Sequence, residues 1–194
     1  MSEIIHPGAG LLFMKVGTHA QESLEDIIAR KSAEIAKVGY GLWGYGGNTC
    51  HPSTMVQPFA ERFADEGRPI HLVMEEMDSK HFAEPLCAKQ YSPDNLEWQE
   101  IPKDIEVRGS RFALKIGNLR QVDEELPLNS TRVAVGPTTG KLGSRYVQGR
   151  VDKACLEMLE ESENVNEDQG PAIRPINLIA DLLAPYAVFL RGFR

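Results

Sequence analysis

No apolar run in this sequence approaches the ~20 residues that a helix needs to cross a bilayer. The longest, Gly8 to Met14 and Ile176 to Leu183, are less than half that length, so no membrane span is expected. Near the start stands Glu3 instead of a basic cluster, and no small-residue cleavage site follows, which argues against a secretory leader. A cytoplasmic location is the expectation. Cysteine is scarce: Cys50, Cys87 and Cys155 are widely spaced and form no CxxC pair. That excludes a disulfide scaffold, argues against structural zinc, and suits free thiols in a reducing compartment. The five histidines (His6, His19, His51, His71 and His81) show no HxxxH spacing, so no metal site is expected. Aromatic residues make up only 7% of the chain, with two tryptophans among them.

What is present fits one soluble domain of ordinary size. The chain has 194 residues, 42% apolar and 25% charged, enough to bury a core without staples. Its net charge of −7 argues against a long phosphate backbone as partner. The charge is uneven, however. From Lys103 to Arg150 nine bases face five acids, whereas from Asp152 onward eight acids face four bases. A locally basic region therefore precedes an acidic tail, and either is a candidate surface for a partner.

Leu11 to Val16 reads as a buried strand. Ser23 followed by Asp26 predicts a helix start, and apolar residues recur at helical spacing from Leu24 to Val38 until Gly39. Tyr40 to Asn48 (YGLWGYGGN) reads as a strand that breaks into a glycine-rich loop, and Ser53 to Ala64 as a short helix in which Pro58 sits in the first turn or makes a kink. Ile70 to Met77 and Phe82 to Gln90 read as a hairpin, Tyr91 to Lys103 as a long loop, and Ile105 to Ile116 as one or two strands. Leu119 to Leu128 reads as a turn region, Thr131 to Val135 as a strand, Val151 to Glu161 as a helix, and Pro175 to Leu190 as a terminal helix or strand. Clustered strands with few helices predict an α+β fold with a curved mixed sheet. A domain over residues 1–150 would then carry a C-terminal extension, 151–194, that packs its acidic helix and loop on it.

No catalytic constellation stands out. GPTTGKLG, Gly136 to Gly143, is one residue short of a phosphate loop and has Leu142 where Ser or Thr would hold magnesium. Cys50 and His51 are adjacent, but sequence neighbours rarely face each other as nucleophile and base. Glu75 and Glu76 point to opposite faces of a strand. Trp43 and Trp98 are the distinctive pair: both lie in or beside glycine- and polar-rich loops. The bland reading is two packing residues; the sharper one is a stacking wall for a flat heterocycle. Lys15, Thr18, Gln21 and Asn48 stand near enough in sequence to read its edge.

The order of these segments resembles the YTH domain and the related EVE domains of the PUA-like superfamily. The resemblance is carried by LLFMKVGTHAQESL (Leu11 to Leu24), GYGLWGYGGN (Gly39 to Asn48), HLVMEEMDSKHFAEPLCAK (His71 to Lys89) and the late segment Phe112 to Tyr146. It implies a PUA-like curved sheet or barrel flanked by helices, holding an aromatic pocket for a modified base, with no reaction and no cofactor. Trp43 and Trp98 would stack on the base, and Gly44 would offer main-chain groups. Lys15, Thr18 and Gln21 would form the polar side, with Arg145 and Lys141 as phosphate candidates. The expected partner is a modified base in DNA or RNA, or a free or cyclic nucleotide. The alternatives are an enzyme acting on a nucleotide in the same pocket, and an interaction or inhibitor protein working through its acidic tail.

Overall fold

A computed structural model describes residues 2, 5–47, 49–81, 83–148, 151–160 and 173–193. Its backbone is one large mixed sheet with few helices. The strands are β1 (Gly10–His19), β2 (Gly41–Tyr45), β3 (Ile70–His81), β4 (Gln90–Ser92), β5 (Gln99–Glu100), β6 (Phe112–Pro127), β7 (Thr131–Val133), β8 (Lys153–Met158) and β9 (Ile173–Arg191). The helices are α1 (Leu24–Val38), α2 (Gln57–Asp65) and the single turn α3 (Gly143–Tyr146), with a π-helical turn, Pro52–Val56, leading into α2. The hydrogen-bonded order is β2-β6-β9-β3-β1-β8-β7, with β4 pairing to both β9 and β5. This path ends at β2 and β7, so the sheet does not close into the barrel that was one form of the expectation.

The architecture follows from the long antiparallel ribbon of β6 and β9. Its register jumps between Leu114–Ala187 and Ile116–Leu182, leaving Leu183 to Tyr186 unpaired against β6; Ala184–Pro185 is cis and Tyr186 has φ 72°. Beyond that interruption each strand changes neighbours. The N-terminal half of β9 pairs with β3, and its C-terminal end pairs with β4. At that same end of the ribbon β2 runs along Phe112 to Ile116 of β6, on the side away from β9. One sheet therefore has two lobes with a core between them.

Alternation along the strands assigns each apolar residue to a face. Leu12, Met14 and Val16 join Trp43, Tyr45, Leu72, Met74, Phe112, Leu114 and the α2 phenylalanines Phe59 and Phe63 in the largest buried cluster. Leu11, Phe13, Ala154, Leu156, Ile176 and Ile179 pack on the opposite face. A third cluster, including Leu42, Val107, Ala113 and Val188, lies outside β2.

Among the described residues up to Asp65, β1, α1 and β2 form where they are expected, and the helix expected over Ser53 to Ala64 begins instead with the π-helical turn. Ser23 accepts a hydrogen bond from the Asp26 amide at 3.2 Å, and Gly39 closes α1 at φ 94°. Three expectations need correction. The hairpin from Ile70 to Gln90 does not form: β3 pairs with β1 in parallel and with β9, because its buried alternating face needs neighbours on both sides. Leu119 to Leu128 is not a turn region, since β6 runs on to Pro127. Most consequentially, no C-terminal helical extension is seen among the described residues. Val151 to Glu161 contains β8, which fills the slot between β1 and β7, with Cys155 facing one core cluster and Ala154 and Leu156 the other. Burial on both faces overrides the helix propensity of this segment. β9 lies mid-sheet, so position 150 marks no break in it. Most of the acidic run, 161–172, falls outside the described residues.

Candidate functional site

A cavity of about 630 Å³ opens where the end of β1, the inner side of α1, the end of β2 and the loop before β6 meet. Trp43 forms part of its wall and is itself only 5% exposed. Its position is dictated by alternation, since Gly41, Trp43 and Tyr45 share one face of β2 while Leu42 points to the outer cluster. Gly44 is required at the next position: a Cβ there would lie 2.3 Å from Ser110 Oγ and 3.1 Å from Val107 Cγ1. The absent side chain lets the 107–110 loop lie directly on β2. Past Tyr45 the main chain is bare, with nothing within 4 Å of a Cβ built at Gly46 and, at Gly47, only Lys153 Nζ at 3.8 Å.

The loop over the cavity is fixed to α1 by charge. Arg30 grips both carboxylate oxygens of Glu22, at 3.1 and 2.5 Å, and also reaches Glu34 Oε1 at 3.1 Å. Lys31 donates to Glu34 Oε2 at 3.0 Å and to the Glu106 carbonyl at 2.6 Å. Glu34 in turn accepts from the Glu106 amide at 3.0 Å, and Arg30 also donates to the Glu106 carbonyl. Lys31 and Glu34 are buried. Burial pulls the Lys31 ammonium down to about 8, against the opposing pull of the Glu34 charge. The Glu106 carboxylate bonds Arg108, which holds it below its ordinary range despite partial burial. These three cations and three carboxylates thus neutralise one another.

His19, at the end of β1, sits under the same loop. Its Nε2 lies 3.2 Å from the Arg108 carbonyl, 3.1 Å from the Gly109 carbonyl and 3.3 Å from Ser110 Oγ. Carbonyls only accept, so Nε2 carries the hydrogen. Ser110 Oγ donates to the Arg108 carbonyl at 3.0 Å and is placed to accept from His19. This polarity is the reverse of a serine activated by a histidine base, and the pair positions the loop. Cys50 and His51 are likewise apart in role: Cys50 Sγ lies 3.8 Å from Cys155 Sγ, while His51 packs edge-on against Phe112 and Phe189. Hydrogen bonding to Cys50, together with burial, pushes the Cys155 thiol well up.

Of the residues singled out from sequence, Trp43, Lys15, Thr18 and Gly44 all border this cavity. By alternation Lys15 takes the face of Phe13, opposite Met14 and Val16. Gln21 does not border it. Ala20 and Gln21 occupy a tight turn with φ 48° and 64°, closed by paired bonds between His19 and Glu22, and the turn carries Gln21 into solvent. Trp98 is also elsewhere: beside β5, its ring receives the Arg191 guanidinium at 4.0 Å from the centroid, and it is not part of the cavity wall. The expected pairing of two indoles around one guest is therefore corrected to a single indole. Lys141 and Arg145, near β7 and on α3, are exposed and away from the cavity lining. Asn48 lies outside the described residues.

Sequence reasoning missed Arg30, Lys31, Arg108, Lys153 and their carboxylates. Lys31 and Glu34 did leave a signal, because they occupy the helix stripe set by Leu24 and Ile27, where a solvated charge does not belong. Among the described residues no group of His, Cys, Asp or Glu is arranged to hold a metal ion, and no helix is long and apolar enough to cross a membrane. No protein-family model, curated protein or solved structure matches the chain.

Proposed function

We propose that the chain is a binding module for a base or nucleotide, held in the cavity against Trp43. The observation that carries this reading is the composition of the cavity. An indole wall, a glycine-rich main chain and six Lys or Arg residues against three carboxylates line a space of about 630 Å³, in a chain whose net charge is −7. A flat anionic guest suits such a space, since the indole supplies a stacking surface and the bare main chain supplies edge hydrogen bonds. The acidity of the whole chain favours a free nucleotide over a polymer.

Trp98→Phe leaves Trp43 as the sole indole, so its fluorescence becomes a local reporter. Titration of that variant with nucleosides, nucleotides, cyclic nucleotides and modified oligonucleotides is expected to give saturable quenching with a free nucleotide. A log–log salt slope well short of the several phosphate contacts of a polymer, each worth about −0.7 on a single strand, should accompany it. Unchanged emission over the whole panel would remove the reading, and a steep slope with tighter oligonucleotide binding would reassign the ligand to nucleic acid.

A further inference from the structure

We infer that the cavity has a phosphate subsite at Lys153, beside Gly46 and Gly47, and that the guest is a phosphate ester and not a neutral base or nucleoside. This deepens the nucleotide reading and rests on it.

The charges of the cavity separate into two groups. Arg30, Lys31 and Arg108 are satisfied by Glu22, Glu34 and Glu106. That network has no positive charge left over for a ligand. Lys153 is in a different situation. Opposite Met14 in the β1–β8 register, it shares the face of Met14 and projects to the cavity side of the sheet. It is 7% exposed, and its one ion pair among the described residues is with Asp152 at 3.0 Å, whose side chain is half in solvent. A buried ammonium held by so hydrated a carboxylate is poorly compensated, because water screens the partner that should offset the desolvation.

The main chain next to it is suited to an anion. A Cβ at Gly47 would find only the Lys153 ammonium, at 3.8 Å, and one at Gly46 would find nothing within 4 Å. Gly47 has φ 89°, a turn geometry in which successive amides can face one concave point. At the rim, Arg111 is exposed, lines the cavity and has no ion pair among the described residues. A phosphate oxygen at this point would take a charge-assisted bond from Lys153 and come within the field of Arg111. Asp152 is the group it would compete with, and the carboxylate can turn to solvent when displaced.

The experiment compares a nucleoside, its 5′-monophosphate and its cyclic monophosphate in the Trp98→Phe background, with and without Lys153→Met and Asp152→Asn. Both phosphate forms should bind about tenfold or more tightly than the nucleoside, the gain expected of one desolvated charge-assisted bond. Lys153→Met should erase that advantage and leave nucleoside affinity in place. Asp152→Asn, at a half-exposed position, should tighten the phosphate forms several-fold with the nucleoside unchanged, and it reports even where Lys153→Met fails to fold. Equal affinity for all three ligands overturns the subsite while the base-binding reading stands. Equal loss of nucleoside and nucleotide in Lys153→Met, or no tightening in Asp152→Asn, also overturns it. Absence of binding by every ligand removes the reading and the subsite together.

Discussion

Gly44 shows how much of this site is decided by a single missing atom. An α-hydrogen is all that separates β2 from Ser110, whose hydroxyl would stand 2.3 Å from an added methyl. Gly44→Ala is therefore expected to destabilise the protein by about 1–3 kcal/mol, the range for overpacking a tight interface. It should also loosen the 107–110 loop. Urea denaturation measures the first effect, and adding Ser110→Gly should recover most of it; an unchanged midpoint in Gly44→Ala would show that the loop yields without cost. From sequence, the glycines of YGLWGYGGN announced that something approaches the backbone here. They did not say what, because the approaching residue comes from 66 positions further along the chain. Trp98 misled for the opposite reason. A tryptophan in a polar loop looks like a ligand wall, but Arg191 is near enough to occupy its face, and that contact depends on β4 pairing with the end of β9.

α1 acts as a clamp as well as a wall. Through Arg30, Lys31 and Glu34 it holds the main chain of Glu106, and so the lip of the cavity. The clamp has a definite pH signature. Folded, Lys31 titrates at about 8; unfolded, it titrates at about 10.4. Between those values the unfolded chain holds the extra proton, so stability gains as pH rises from about 8 towards 10. Below 8 the cost of burying the cation is present in full. Lys31→Met should flatten this part of the stability profile relative to the parent, as urea midpoints across the range would reveal, whereas parallel profiles would mean that another group carries the dependence. The helix itself was readable, because its cap, its stripe and its closing glycine are all local signals. β8 was not. Val151 to Glu161 has helix-favouring residues, and what makes Lys153 to Met158 a strand is the pair of open edges on β1 and β7, which no local pattern records. Lys153 would have been placed on a helix surface by its sequence, and its inward position became visible only with the strand register.

Taken whole, the molecule depends on its C-terminal quarter more than on any appended surface. β9 pairs with β3, β4 and β6, and its residues run through all three apolar clusters. A chain ending after residue 160 keeps the cavity-lining segments in sequence but loses the strand that joins the two lobes. It is expected to lack a cooperative unfolding transition and dispersed amide proton signals. A truncated chain that still melts cooperatively would mean that β3 and β6 find each other unaided. The net charge changes sign near residue 150, but that is a statement about surface; the sheet is ordered by buried pattern, and Ile176, Leu178, Ile179 and Ala180 are buried on both faces of one strand.

The central place of β9 also sets a timetable for biosynthesis. A ribosome releases β1, β3 and β6 long before residues 173–191, yet two of those strands need β9 between them. Contacts of such long range cannot close during most of translation. The nascent chain must carry the unpaired edges of β3 and β6 until β9 clears the exit tunnel. That interval is when chaperones would meet this protein, and when a slow codon within the stretch that encodes β9 would do the most harm.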